Sequence, residues 1–324
     1  MSSRKDSTIS ASLLRDLYAR MLFTRVVDEY AGQLYRQGMI GYVASCRGHE
    51  AAQVGSAMCI EVGTDFTLPY YRDLGVVLTI GMSAYEVFRT YLQACARQMH
   101  GGDDVSHVGS RYPGAMLHWG YHKHNIITGP APVAVQILHA AGIAFACKLR
   151  KANAVTVAYC GDGATAEPDF LEGITFAAEH QLPAIFICEQ DCSRIDSTDW
   201  APQANSGPTS CLQNLPLPAG LKHITLGGSN IATVYTTMQA AIQDARAGHG
   251  PILLEICLTR PSTGTSADDS SSSETNETDP LTCGQHLLEN VGAWDEAWAA
   301  QLHDRTVHEV EQAMQDALRD CAHW

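Results

Sequence analysis

Tyr159-Cys160-Gly161-Asp162-Gly163-Ala164-Thr165-Ala166-Glu167-Pro168-Asp169-Phe170, followed after a helical stretch by Leu182-Pro183-Ala184-Ile185-Phe186-Ile187-Cys188-Glu189-Gln190-Asp191, is the part of this chain that decides its fold. The unit reads as a strand, a Gly-Asp-Gly turn, a helix and a second strand that closes on another acidic residue. Glycine reaches backbone angles closed to other residues, so Gly161 and Gly163 let the chain turn tightly and aim the Asp162 carboxylate past the sheet edge. The helix is expected to start at that edge, where free N–H groups and the helix dipole favour an anion such as a diphosphate. Asp162 favours a hard divalent cation such as Mg²⁺. A right-handed crossover between parallel strands brings the end of the second strand, Ala184 to Cys188, and with it Glu189-Gln190-Asp191, beside the first. Metal and diphosphate are expected between the two strand ends.

Working outward, residues 11 to 37 place apolar residues at helical spacing with Arg, Asp and Glu between them, which predicts one long amphipathic helix. A second helix is expected over Ala51 to Ile60 and a third from an N-capping Ser83 to about Arg97. Between them lies Leu68-Pro69-Tyr70-Tyr71-Arg72-Asp73. Residues His100 to Pro132 are rich in Gly, His and Pro and lack a period, as long functional loops do. A helix over Val133 to Arg150 and a strand over Ala154 to Cys160 lead into the deciding unit. A polar loop over 192 to 220 follows, then a strand at His223 to Leu226, a helix at Ile231 to Ala247 and a β-rich run from Pro251 to Leu258. Strands alternating with helices indicate an α/β fold with a parallel sheet in a single domain spanning 1–324. Residues 261–279, rich in Ser, Thr, Asp and Glu, have a composition that packs no core and reads as a mobile polar loop. Leu287 to Trp324 returns to helix.

Composition narrows the function. With 324 residues and 45% hydrophobic content the chain can bury a full core. A net charge of −14 and the lack of any Lys/Arg run argue against a nucleic-acid partner. Eleven cysteines, an odd number without a Cys-x-x-Cys pair, argue for reduced thiols rather than a disulfide framework or zinc ribbon. The start, Met1-Ser2-Ser3-Arg4-Lys5, lacks the apolar core of a signal peptide, and no apolar run reaches the roughly 18 residues of a membrane helix. A cytoplasmic protein is expected, with no membrane contact.

The deciding unit, together with Arg47-Gly48-His49-Glu50-Ala51-Ala52-Gln53-Val54-Gly55, Tyr71-Arg72-Asp73 and Phe176-Ala177-Ala178 before Leu182-Pro183, resembles the alpha subunit of the first component of 2-oxo acid dehydrogenase complexes. The branched-chain type is nearer than the pyruvate type. The resemblance implies a doubly wound parallel sheet of the thiamine diphosphate-binding type, with N- and C-terminal helical extensions. It implies thiamine diphosphate and Mg²⁺ as cofactors. It also implies a separate beta subunit in an α₂β₂ assembly, a small 2-oxo acid substrate, and acyl transfer to the lipoyl arm of a dihydrolipoyl acyltransferase. The beta subunit supplies the glutamate that activates the aminopyrimidine ring.

Carried over residue by residue, the resemblance makes Asp162 a Mg²⁺ ligand and places Asp191 where the family has a ligating asparagine. Ser193 stands where a backbone carbonyl completes the metal shell. Tyr71 and Arg72 stand in the cofactor-binding segment, where the planar Arg72 guanidinium suits the phosphate oxygens. Gly161, Gly163 and Ala164 belong to the cofactor-binding turn. Ala131 and Val133 stand where a serine and a leucine line the aminopyrimidine pocket, and Gln136 keeps the family residue. Near the end of the sheet Arg260 is retained among the cofactor contacts. The histidine credited with proton handling and acyl transfer falls on Gly264, which has no side chain to act as acid or base, so no catalytic residue is assigned. His118, His122 and His124 are the histidines of the earlier loop that could approach the site. Residues 262 to 274 correspond to the loop that covers the entrance in the family. The alternatives left open are a pyruvate or acetoin dehydrogenase alpha subunit, a related decarboxylase with a non-lipoyl acceptor, and a non-catalytic scaffold paralogue.

Overall fold

Near-continuous apolar runs at β2 (Thr156–Gly161), β3 (Ala184–Asp191) and β5 (Ile252–Leu258) are what a parallel sheet covered on both faces requires. The computed structural model describes residues 9–100, 119–192, 212, 215–259 and 278–321. Among these residues the runs join β1 (Phe66–Leu68) and β4 (Lys222–Gly227) in a five-stranded sheet ordered β1-β2-β3-β5-β4, with every pairing parallel. Alternate side chains of each strand enter different layers. Val157, Tyr159, Ile185 and Ile187 share a core with α2 (Glu50–Ala57) and α7 (Ile231–Asp244). Ala158, Cys160, Phe186 and Cys188 share the other with α5 (Val135–Arg150) and α6 (Pro168–Glu179). The sheet is therefore wound on both faces, as expected. The helical extensions are α1 (Ala11–Arg36) at the front of the chain and α8 (Pro280–Asn290) and α9 (Glu296–Cys321) at its end.

Several expectations change at their margins. The second helix spans Glu50–Ala57 rather than Ala51 to Ile60, and α5 begins at Val135, after Ala134 takes a positive φ of 72°. The stretch between the second and third helices contains β1 and a further helix, α3 (Leu74–Ile80). A three-residue strand is too short to show alternation, and Leu74-Gly75-Val76-Val77-Leu78-Thr79-Ile80 is buried nearly all round, so it has no polar face to give a period. Ser83 does cap the next helix, α4 (Ala84–His100): its N–H donates to Glu86 Oε2 while its hydroxyl accepts from the Glu86 N–H. The C-terminal helix is two helices. Asp279 caps α8 through the Leu281 N–H with Pro280 in the first turn, and Gly292, at φ 66°, turns the chain before α9. Asp279, the last residue assigned to the polar loop, is thus held in place, while residues 260–277 lie outside the described residues.

Candidate functional site

The carboxyl ends of β2 and β3 lie side by side, with Gly161 paired in register with Glu189. Asp162 follows one residue beyond this pair and Asp191 two residues beyond it, so both expected ligand positions leave the same edge of the sheet. Such an edge is where open α/β sheets take their ligands. The helix expected to start at that edge does not do so: past Gly161 the chain first makes a tight 3₁₀ turn over Asp162–Ala166. The helix α6 waits for Pro168, whose fixed φ suits the first helical position. The N–H groups nearest Asp162 are therefore those of the turn. One of them, Gly163 N–H, donates to Asp162 Oδ1 (2.8 Å), and the Thr165 hydroxyl donates to the Asp162 carbonyl (2.7 Å). A Cβ at Gly163 would meet nothing within 4 Å. The backbone there is open to a bulky polar group.

Arg72 approaches from the loop after β1. Its Nη1 donates to the Ser45 carbonyl (2.6 Å), its guanidinium lies 5.5 Å from the Tyr71 ring centre, and the Tyr71 carbonyl accepts from Trp119 Nε1 (3.1 Å). The neighbouring Tyr70 carries this loop onto the strand end: its ring is 3.6 Å from where a Cβ would stand on Gly161. That is ordinary van der Waals contact, and neither Gly161, at φ −86°, nor Gly163 takes a positive φ, so the turn does not use the glycine-only backbone angles expected from the sequence. Ala131 and Val133 lie in the turn before α5 and are exposed, whereas Gln136 is buried and donates to the Tyr159 carbonyl (3.0 Å), which ties α5 to β2.

Beneath the edge lies a set of buried polar side chains to which the sequence had lent no role. Glu189 Oε2 accepts from the Tyr70 hydroxyl (2.7 Å) and from Gln53 Nε2 (3.2 Å), and lies 2.7 Å from His49 Nδ1. Gln53 also donates to the Arg72 carbonyl (3.1 Å) and accepts from the Gly75 N–H (3.0 Å). Asp73 accepts from the Tyr70 N–H (2.7 Å), and burial, followed by the nearby Glu189, pushes its carboxyl well above the usual carboxylate range. His49, Gln53 and Asp73 lie in segments that carry the resemblance and Glu189 in the acidic strand end, but the one sign in the sequence that any of them share a face was spacing: His49 and Gln53 stand four apart at the start of α2.

Oxygen donors at the edge suit a hard cation. Asp162 and Asp191 are carboxylates, and no group of three or more His, Cys, Asp or Glu among the described residues is arranged to hold a metal. Ser193, Arg260, Gly264 and His118 lie outside the described residues, as does the loop 262–274. His122 is exposed, and His124 packs against the Tyr121 ring and Gly81 at the end of α3. Nine cysteines among the described residues, Cys160 and Cys188 included, form no disulfide. No helix among these residues is long and apolar enough to cross a membrane.

Residues 18–323 match the family model described as dehydrogenase E1 component. The chain is 34% identical over 309 residues to the 2-oxoisovalerate dehydrogenase subunit alpha of Bacillus subtilis, covering 93% of this chain and 89% of the relative. It is 31% identical over 319 residues to the 3-methyl-2-oxobutanoate dehydrogenase subunit alpha of Mycobacterium tuberculosis, with 95% and 78% covered. It is 30% identical over 315 residues to the pyruvate dehydrogenase E1 component subunit alpha of Staphylococcus aureus, with 94% and 78% covered. With the parallel sheet, the strand-end carboxylates and matches of this breadth, the chain belongs to the dehydrogenase E1 component family.

Proposed function

We propose that this chain is the alpha subunit of a thiamine diphosphate-dependent 2-oxo acid dehydrogenase acting on a branched-chain 2-oxo acid. The observation that carries this reading is the edge itself, where Asp162 follows β2, Asp191 ends the adjacent parallel β3, and the Arg72 loop is packed onto Gly161 through Tyr70. Relatives named for 2-oxoisovalerate and 3-methyl-2-oxobutanoate support the branched-chain substrate over pyruvate.

The residues present fit the cofactor. Asp162 and Asp191 offer carboxylate oxygens to Mg²⁺, with Ser193 the third position of the shell. The Arg72 guanidinium offers paired donors to diphosphate oxygens, and the open backbone at Gly163 lets them approach the turn N–H groups of Gly163 and Ala164. Tyr71, Gly161 and Arg260 complete the binding set, and Ala131 and Val133 face the aminopyrimidine. When bound, thiamine diphosphate supplies the nucleophilic carbon and the electron sink for decarboxylation. Val133 is 44% exposed in this chain, which fits a pocket that a beta subunit closes in a cytoplasmic α₂β₂ heterotetramer. The acyl group then passes to the lipoyl arm of a dihydrolipoyl acyltransferase.

One residue favours a second reading. Gly264 stands where the family has its proton-handling histidine, which supports a relative with a non-lipoyl acceptor or a scaffold that keeps the fold without turnover. Calorimetric titration of thiamine diphosphate, with and without Mg²⁺, into the chain copurified with its beta partner separates these. Metal-dependent binding that disappears in Asp162→Ala, with turnover of branched 2-oxo acids, is the expected result. Absence of binding in the assembled complex would leave only the scaffold.

A further inference from the structure

Glu189 is buried at 2% exposure and its side chain meets three others remote in sequence: His49 is 140 positions away, Gln53 is 136 and Tyr70 is 119. One carboxylate oxygen, Oε2, gathers all three contacts. The partners come from two other parts of the site frame. His49 and Gln53 open α2, Tyr70 starts the loop that carries Arg72, and Glu189 itself sits two residues before Asp191 in β3 and opposite Gly161 in β2. Gln53 adds a second tie to the same loop through the Arg72 carbonyl. Hydrogen bonds to a buried charged oxygen are short and strong, so they set geometry more firmly than neutral contacts do.

We propose that Glu189 is a positioning residue, which through Tyr70, His49 and Gln53 fixes the Arg72 loop against the strand ends that bear Asp162 and Asp191 and thereby sets the affinity for metal-bound diphosphate. The proposal rests on the reading that Mg²⁺ and thiamine diphosphate bind at that edge. It has a sign that electrostatics alone does not share. Glu189 is an anion beneath a site for an anionic cofactor, so if only its charge acted there, neutralising it would strengthen binding. If it acts by holding the loop, neutralising it weakens binding, because the Gln amide matches the shape of the carboxylate but accepts more weakly from Tyr70, His49 and Gln53.

Two substitutions test this in the chain assembled with its beta subunit, by calorimetric titration of Mg²⁺ with thiamine diphosphate. Tyr70→Phe removes a single hydroxyl and leaves Glu189 held by His49 and Gln53, so it serves if Glu189→Gln does not fold. Each variant is expected to bind roughly tenfold more weakly, the loss that follows from one charge-assisted hydrogen bond. The thermal midpoint of the cofactor-free complex is recorded alongside. A lower midpoint with wild-type affinity in both variants would make the set merely structural and overturn the proposal, as would tighter binding by Glu189→Gln. Asp162→Ala is the control for the underlying reading. If wild type fails to bind, or Asp162→Ala binds as wild type does, the edge is not the cofactor site and the positioning role falls with it.

Discussion

Asp28 shows how single residues of this chain trade stability for order. It lies on α1 with its carboxylate accepting from the Ser45 hydroxyl (2.5 Å) and the Cys46 N–H (3.1 Å), which anchors the same segment that receives Arg72 at the Ser45 carbonyl. Burial pushes its carboxyl from 3.8 up to about 6, although both hydrogen bonds pull the other way. Below the unfolded value the group is protonated in both states. Between about pH 4 and 6 the folded chain keeps a proton that the unfolded chain releases, so stability falls as pH rises through this window. A rise from 3.8 to about 6 corresponds to roughly 3 kcal/mol lost by pH 7. Asp28→Asn keeps an acceptor for the Cys46 N–H and removes the titration. Denaturant unfolding of both proteins is expected to show the variant gaining on wild type between pH 4.5 and pH 7; parallel profiles would mean that the Asp28 proton is not linked to folding.

At the scale of elements, the crossing of α5 and α6 depends on one glycine. A Cβ on Gly173 would lie 2.8 Å from the Ile137 side chain and 3.0 and 3.1 Å from backbone atoms of Ile137 and Leu138, which have nowhere to retreat. Gly142, on α5, would meet nothing within 4 Å. Gly173→Ala is therefore expected to destabilise by roughly 1–2 kcal/mol, an overpacking penalty of about 1–3 kcal/mol reduced by the better helix propensity of alanine. Gly142→Ala is expected to stabilise by up to about 1 kcal/mol. Opposite shifts in the denaturant midpoints of the two variants check this, and equal shifts would mean that the crossing distance is not limiting. The front and end of the chain are also joined at this scale: Arg25 on α1 pairs with Glu50 of α2 (2.5 Å) and with Asp279 at the start of α8 (2.9 Å).

Across the whole molecule, the two ends of the sheet divide stability from chemistry. At the amino end, opposite the candidate site, Arg246 donates to both oxygens of the fully buried Asp65 (3.0 and 2.8 Å), and Asp65 accepts from the Val155 and Glu61 N–H groups. This knot sits just before β1 and β2. Arg246→Ala leaves a buried carboxylate without its cation, a loss of roughly 2–4 kcal/mol for a pair that is only partly screened. The unfolding midpoint should drop while cofactor affinity stays within about twofold of wild type, since additivity holds between sites with no shared partner. A matching loss of affinity would show that the two ends are coupled through the strands.

Much of this was legible before the fold was seen. The run from Tyr159 to Asp191 determined a parallel α/β unit with two acidic strand ends, because glycine turns, helix period and apolar strands are local properties written in consecutive residues. The short β1, the evenly buried α3 and the break at Gly292 were not legible, since each is too short or too uniformly buried to carry a period. Nor was the start of α6 beyond a 3₁₀ turn, which depends on how Pro168 and Glu167 settle at the sheet edge. Consecutive residues were enough to bring Asp162 and Asp191 to the edge. What holds them there came from the folded layers, for the meeting of Glu189 with His49, Gln53 and Tyr70 joins residues more than a hundred positions apart, and a buried polar group finds its donors only when the layers around it close.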